Sequence, residues 1–269
     1  MTMSSLFDAE TETRGEQEQR ERDRAGYQRQ LAYLFDRSPF YRDKLAVAGI
    51  TAAADAGGLD GIAALPFTTK DEIRRTQAEH PPFGAYLAAP AEDVRRVYST
   101  SGTTGEPCYI AVTEQDLRTW VRISARSYTA AGIRRGQGVV LTYNAGPFVA
   151  GAVLDSFTQI GATIMPVGSG NTERVVRACL RLGAEAIACT PSYALYLIEW
   201  CRDRGIDPAD LGVRRFSVAG EPGGGEAAIR ARLESAFGAT VAEAMGIADV
   251  SPSLWGECEE QDGMHWSGR

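Results

Sequence analysis

Apolar residues in this chain follow two different spacings, and the change from one to the other divides it. Tyr27, Leu31, Leu34 and Phe35 recur at i, i+4, i+7 and i+8, the spacing of one helical face. That helix is expected to stop near Ser38 and Pro39. Thr69 is placed to cap a second helix, with Asp71 and Glu72 in its first turn. From Val139 onward short apolar runs alternate with amphipathic stretches. Strands are predicted over 139–143, 163–167, 186–190, 215–219 and 240–244, the last closing the series. Between them the pattern predicts a helix over 151–160 and one capped by Thr172, which turns Val175, Val176, Cys179 and Leu180 inward and ends at Gly183. A third is opened by Pro191 and Ser192 and carries Leu195, Ile198 and Cys201. A fourth carries Ile229, Leu233 and Phe237.

Four alternations of strand and helix argue an α/β fold, a parallel sheet flanked by helices. Right-handed crossovers would then gather the strand-end loops along one edge, where ligands of open sheets bind. The chain divides as a tail over 1–24, a helical segment over 25–97 and an α/β subdomain over 98–269. The tail is dense in Glu, Arg, Gln and Asp and is expected to fray.

Of the 269 residues, 44% are hydrophobic and 23% charged, so the chain can bury a sizeable core. A formal charge of −7 supplies no attraction for nucleic acid or an anionic membrane. No apolar run approaches the roughly 18 residues of a membrane span. The polar N-terminus lacks the apolar segment of a signal peptide. Five scattered cysteines, an odd number, argue against a disulfide framework, and a reducing cytoplasm is the expected compartment.

Candidate chemistry concentrates at residues 98–110. Ser99, Thr100, Ser101, Thr103 and Thr104 carry hydroxyls, and Gly102 and Gly105 stand among them. Glycines let successive N–H groups converge on an anion, and hydroxyls add short rotatable donors. A polar turn between two strands is the competing reading. Glu106 occupies the place where a Walker loop needs lysine. A second loop, Gly220-Glu221-Pro222-Gly223-Gly224-Gly225, follows a predicted strand and precedes a helix. Its bare backbone suits either a tight turn or close approach to a flat base. Cys258 and His265 are zinc-type ligands, and Cys108 or Glu257 could complete a site. Otherwise His265 is a polar turn residue beside Gly263.

The order Ser101-Gly102-Thr103-Thr104-Gly105 with Pro107 resembles the phosphate loop of the adenylate-forming superfamily, whose usual form has lysine where Glu106 stands. The stretches SPFYRDKL, LPFTTKDEIR, PPFG, SGNTERVVR, CTPSYALYL and AGEPGG extend the match. Together they are similar to phenylacetate-CoA ligase-like enzymes from about Gln28 to Trp266. The resemblance implies the N-terminal part of an adenylate-forming enzyme's large domain. It implies ATP-dependent activation of an aromatic carboxylic acid to an acyl-adenylate, then a thioester with coenzyme A. In that scheme Ser99 to Gly105 hold pyrophosphate, while Ala219, Gly220, Glu221, Pro222, Met245 and Gly246 line the base pocket. Tyr143, Phe148, Gly246 and Ile247 enclose the acid, and Asp249 holds Mg2+. Ala248 departs from the family by lacking a hydroxyl for the α-phosphate. The family's ribose-binding Asp and lysine-bearing C-terminal domain are not found before residue 269. The isolated chain is therefore expected to bind ligand weakly and turn over nothing. A non-catalytic scaffold is the alternative, and a homodimer is the assembly left open.

Overall fold

The computed structural model describes residues 6–100, 107–143, 146 and 148–268. They form two compact units, one of Thr13–Asp116 and one joining Met1–Glu12 to Leu117–Arg269. A short helix α1 (Ala9–Glu12) belongs to the second unit.

In the first unit, α2 (Glu16–Arg37) is followed by α3 (Pro39–Val47) and α4 (Lys70–Glu79). Helix begins at Glu16, inside the stretch expected to fray. Pairs at i,i+4, Arg20 with Glu16 at 2.7 Å and Arg22 with Glu18 at 3.0 Å, line its exposed surface. Each supports the helix by only about 0.2–0.5 kcal/mol. The apolar face does more: Leu31 is buried with Leu45, Ile50 and Ala56, and Tyr27 and Phe35 pack against them. Ser38 stops α2 and caps α3, its hydroxyl accepting from the Tyr41 N–H at 3.3 Å, with Pro39 in the first turn. A hairpin of β1 (Val94–Ser99) and β2 (Tyr109–Thr113) completes this unit.

Thr69 and Glu72 form the expected capping box on α4. Lys44 also donates to Glu72. With the Thr69 N–H, at 2.7 Å, it holds that carboxyl at about 2, below its ordinary 4.5. A carboxyl lowered in this way stabilises the fold above its unfolded value and loses that contribution as pH falls toward 2. Lys44→Met should therefore raise the midpoint of acid unfolding, read by far-UV circular dichroism between pH 5 and 2. An unmoved midpoint would show the pair to be idle.

After α1, the second unit resumes in α5 (Glu114–Ala130), near whose start the division falls. The chain continues through β3 (Gly138–Leu141), α6 (Val153–Ile160), β4 (Thr163–Pro166), α7 (Thr172–Leu182), β5 (Ala186–Cys189) and α8 (Pro191–Arg202). It ends with β6 (Arg215–Val218), α9 (Ala227–Phe237), β7 (Thr240–Ile247), β8 (Ser251–Glu257) and β9 (Met264–Trp266). The sheet order is β4-β3-β5-β6-β7-β8-β9. Pairing is parallel from β4 to β7, then antiparallel across β8 and β9. The α/β architecture is thus a mixed sheet flanked by helices. β7 does not close the series but runs three residues beyond the predicted end. Asn171, not Thr172, caps α7, its side chain accepting from the Arg174 N–H at 3.0 Å.

Strand period sorts the core into two faces. Val140, Ile187, Phe216, Val218 and Val241 pack on one side with Val175, Leu197 and Leu233 of α7, α8 and α9. Val139, Leu141, Ala186, Ala188 and Ala244 face the other, with Tyr128 of α5 and Phe157 of α6. The small alanines leave room for those two rings, whose centroids lie 4.6 Å apart. All five cysteines are free and buried.

Candidate functional site

Because β4, β3, β5, β6 and β7 run parallel, their C-terminal ends share one edge. From β3 the chain goes to β4 on one side and returns to β5 on the other. Ligands of open α/β sheets bind at such a reversal. Tyr143 lies just past β3. Its hydroxyl donates to the Cys189 carbonyl at 2.6 Å and lies 3.3 Å from the Ala219 carbonyl, spanning the ends of β5 and β6. Burial, with the nearby Tyr128, pushes this phenol well above its ordinary value, so it stays a neutral donor. Tyr143 also lines a cavity of about 180 Å3 with Leu141, Leu154, Pro166 and Val167. Phe148 is half exposed and is not among that cavity's lining residues. Asn144, Ala145 and Pro147 lie outside the described residues.

Along the same edge, Gly220 adopts φ 94°, the left-handed region that glycine tolerates. It is exposed, as is Pro222, while Ala219 and Glu221 are half-buried. Glu221 accepts from the Ser192 N–H at 2.7 Å, and Thr190 accepts from the Tyr193 N–H at 3.2 Å. Both oxygens thereby satisfy the open N-terminus of α8. The later glycines have a packing role. A Cβ on Gly224 would strike Val218 and lie 2.9 Å from Glu243 Cβ, and one on Gly225 would lie 2.9 Å from Glu243 Oε2.

The glycine loop is fastened from α9 by a residue the sequence did not single out. Arg230 donates to the Gly224 carbonyl at 3.1 Å and to both Glu257 oxygens at 2.7 Å. Glu257 also accepts from the Glu243 N–H at 2.7 Å. The only sequence signal for Arg230 is its place one turn into α9, directly after the loop.

Met245, Gly246 and Ile247 form the end of β7 rather than a loop beyond it, and all three are exposed. The β7–β8 register is irregular between Met245 and Ile247, and at Gly246 the β8 backbone comes close. Ala248 and the exposed Asp249 occupy the turn, closed by the Val250 N–H on the Ile247 carbonyl at 2.8 Å. An exposed carboxylate at the sheet edge suits Mg2+, which takes one or two protein oxygens and keeps several waters.

In the first unit, the hydroxyl-dense stretch does connect two strands. Ser99 pairs with Tyr109, and the Thr100 N–H donates to the Cys108 carbonyl at 3.0 Å. The Cys108 N–H returns a bond to Thr100 Oγ1 at 3.1 Å, which closes the neck of the hairpin. Ser101, Gly102, Thr103, Thr104 and Gly105 lie outside the described residues.

Cys258 and His265 do come together, but neither expected completion joins them. Glu257 is held by Arg230, and the Cys108 thiol lies 4.0 Å from the Lys70 carbonyl. The third group is Asp262, whose carboxylate lies 3.7 Å from Cys258 Sγ and 3.5 Å from His265 Nε2. The spacing Cys-x3-Asp-x2-His was there to be read.

No family model matches the chain. It is 35% identical over 263 residues to a phenylacetate-coenzyme A ligase of Thermus thermophilus, a match covering 97% of this chain and 57% of that protein. A phenylacetate-coenzyme A ligase of Escherichia coli is 32% identical over 233 residues, covering 86% and 52% respectively. Among solved structures, an open 2-hydroxyisobutyryl-CoA ligase in complex with 2-HIB-AMP and CoA aligns with a TM-score of 0.92 and 28% identity. That alignment covers 99% of this chain and 63% of the ligase. The chain spans a little over half the length of these relatives.

Proposed function

We propose that this chain, a phenylacetate-CoA ligase-like member of the adenylate-forming superfamily, serves the ATP-dependent activation of an aromatic carboxylic acid ahead of thioester formation with coenzyme A. The observation that carries the reading is the shared edge of five parallel strands, where the Tyr143 cavity, the Gly220 loop and the Met245–Asp249 segment all emerge. An apolar cavity of roughly 150 Å3 holds benzene, so about 180 Å3 beside Tyr143 suits a single ring.

In this scheme the acid's ring enters beside Tyr143, whose phenol is fixed by two strand-end carbonyls and keeps the wall in place. The bare backbone at Gly220 lets a flat base approach closely, and the exposed Met245 offers a polarisable face to it. The carboxylate then attacks the α-phosphorus and pyrophosphate departs, leaving the acyl-adenylate. The protein's part is alignment and stabilisation of spreading negative charge. Ser99 and Thr100 are the described members of the hydroxyl stretch assigned to pyrophosphate. Asp249 would hold Mg2+, which when bound neutralises phosphate charge. With Ala248 in place of a hydroxyl residue, one α-phosphate contact must come from elsewhere.

Isothermal titration of the 269-residue chain with AMP, and separately with phenylacetate, tests the reading. Weak saturable binding of both is expected, with no ATP–pyrophosphate exchange by the isolated chain. Silence with both ligands up to millimolar concentration would remove the ligase site and favour a scaffold role, the reading that Ala248 and Glu106 support.

A further inference from the structure

We propose that Cys258, Asp262 and His265 form a zinc site in the turn between β8 and β9. The site is independent of the nucleotide reading and lies away from the strand ends assigned to it. Among the described residues this is the cluster whose thiolate, imidazole and carboxylate donors all lie within 4.8 Å of one another. Tetrahedral zinc with Zn–S of about 2.3 Å and Zn–N or Zn–O of about 2.0–2.2 Å sets its ligands about 3.6 Å apart for S···O and about 3.4 Å apart for N···O. The observed 3.7 Å from Cys258 Sγ to Asp262 and 3.5 Å from His265 Nε2 to Asp262 match those two edges.

The backbone is arranged to hold this geometry without the ion. Gln261 is the one non-glycine residue with positive φ among the described residues, at 56°, and Gly263 follows at 128°. Such a conformation persists only where the surroundings enforce it. Here the Gln261 amide donates to the Val241 carbonyl at 2.7 Å and to Glu234 at 2.8 Å, fastening the turn to β7 and α9. The Gln261 N–H also bonds the Cys258 carbonyl at 3.2 Å. On the other flank β9 is held by its ladder with β8, where His265 pairs with Gly256, and by Trp266 against Trp255 at 4.9 Å.

The donor set selects the metal. A thiolate and an imidazole favour zinc over magnesium or calcium, which prefer all-oxygen shells. Cys258 is buried, while Asp262 and His265 reach solvent, so water can fill the fourth position. On binding, the Cys258 thiol gives its proton to solvent and the sulfur–metal bond forms. The ion would pin β9 and the turn to β8.

The test uses the 269-residue chain, equilibrated with zinc and desalted. About one equivalent should remain by mass spectrometry, and the cobalt-loaded protein should show a thiolate-to-metal absorption in the near ultraviolet. Asp262→Asn and His265→Ala should each weaken zinc binding by about tenfold or more. Cys258→Ser should abolish the cobalt band. If that buried substitution prevents folding, the two exposed positions still decide the matter. Retention below about a tenth of an equivalent, or binding undiminished in Asp262→Asn or His265→Ala, overturns the site.

Discussion

Arg230→Met should lower the unfolding free energy by about 3–5 kcal/mol, the loss expected when one member of a buried ion pair is removed. Arg230 and Glu257 are nearly enclosed, with side-chain exposures of 13% and 6%, and the arginine meets both carboxylate oxygens at 2.7 Å. Methionine fills much of the volume but leaves Glu257 without a counter-charge among β7, β8 and the glycine loop. That carboxylate must then draw in water or a proton, and the Gly224 carbonyl loses its donor as well. Urea denaturation reads the loss as a lower midpoint with little change in slope. The Arg230→Met/Glu257→Gln double variant should regain much of it, because glutamine keeps an acceptor for the Glu243 N–H and removes the stranded charge. A single variant within about 1 kcal/mol of the parent would mean the pair behaves like a surface contact.

Gly246→Ala is the second large effect, and it couples stability to the proposed site. An added methyl would fall inside van der Waals contact of the Pro252 carbonyl, a backbone group that cannot rotate aside. Either β8 moves away or β7 shifts, and Met245, Ile247 and the Asp249 turn shift with it. Overpacking of this kind costs about 1–3 kcal/mol, which for a chain of this size is roughly 3–10 °C in melting temperature. AMP affinity should fall by at least about tenfold, since the residues assigned to the base and to Mg2+ flank the substitution. Calorimetric melting and titration on the same sample separate the two consequences. Unchanged melting would show that β8 gives way freely. Unchanged AMP affinity alone would detach this turn from the nucleotide.

What the sequence disclosed depends on how local each cause is. Ser38, Thr69 and Gly183 act within one turn of their own helix, so their capping and stopping roles follow from neighbours along the chain. The apolar runs around Val139 and Ile187 are equally plain, because a strand covered on both faces is largely apolar. β8 escaped notice because Ser251, Ser253, Gly256 and Glu257 are buried polar or small residues carrying no strand signature. Their burial is decided by β7, β9 and α5, not by their own propensity. Glu257 read as a spare metal ligand for the same reason: its partner Arg230 lies 27 positions earlier. Tyr143 was visible as an aromatic at a strand end, but its hydrogen bond to Cys189 exists only after the sheet has assembled. Gly224 and Gly225 resembled a nucleotide loop, yet they are small because Glu243 packs against them.

The enclosed thiols shape how the protein meets its chemical surroundings. Desolvation lifts Cys179 to about 12 and Cys201 above its usual range, so neither offers much sulfur nucleophile near neutral pH. Cys108 and Cys189 are likewise sealed from solvent. Alkylating agents and peroxides must therefore wait for the packed sheet to open before Cys179, Cys189 and Cys201 can react. Their modification rate then becomes a clock for that opening, with no foreign label needed.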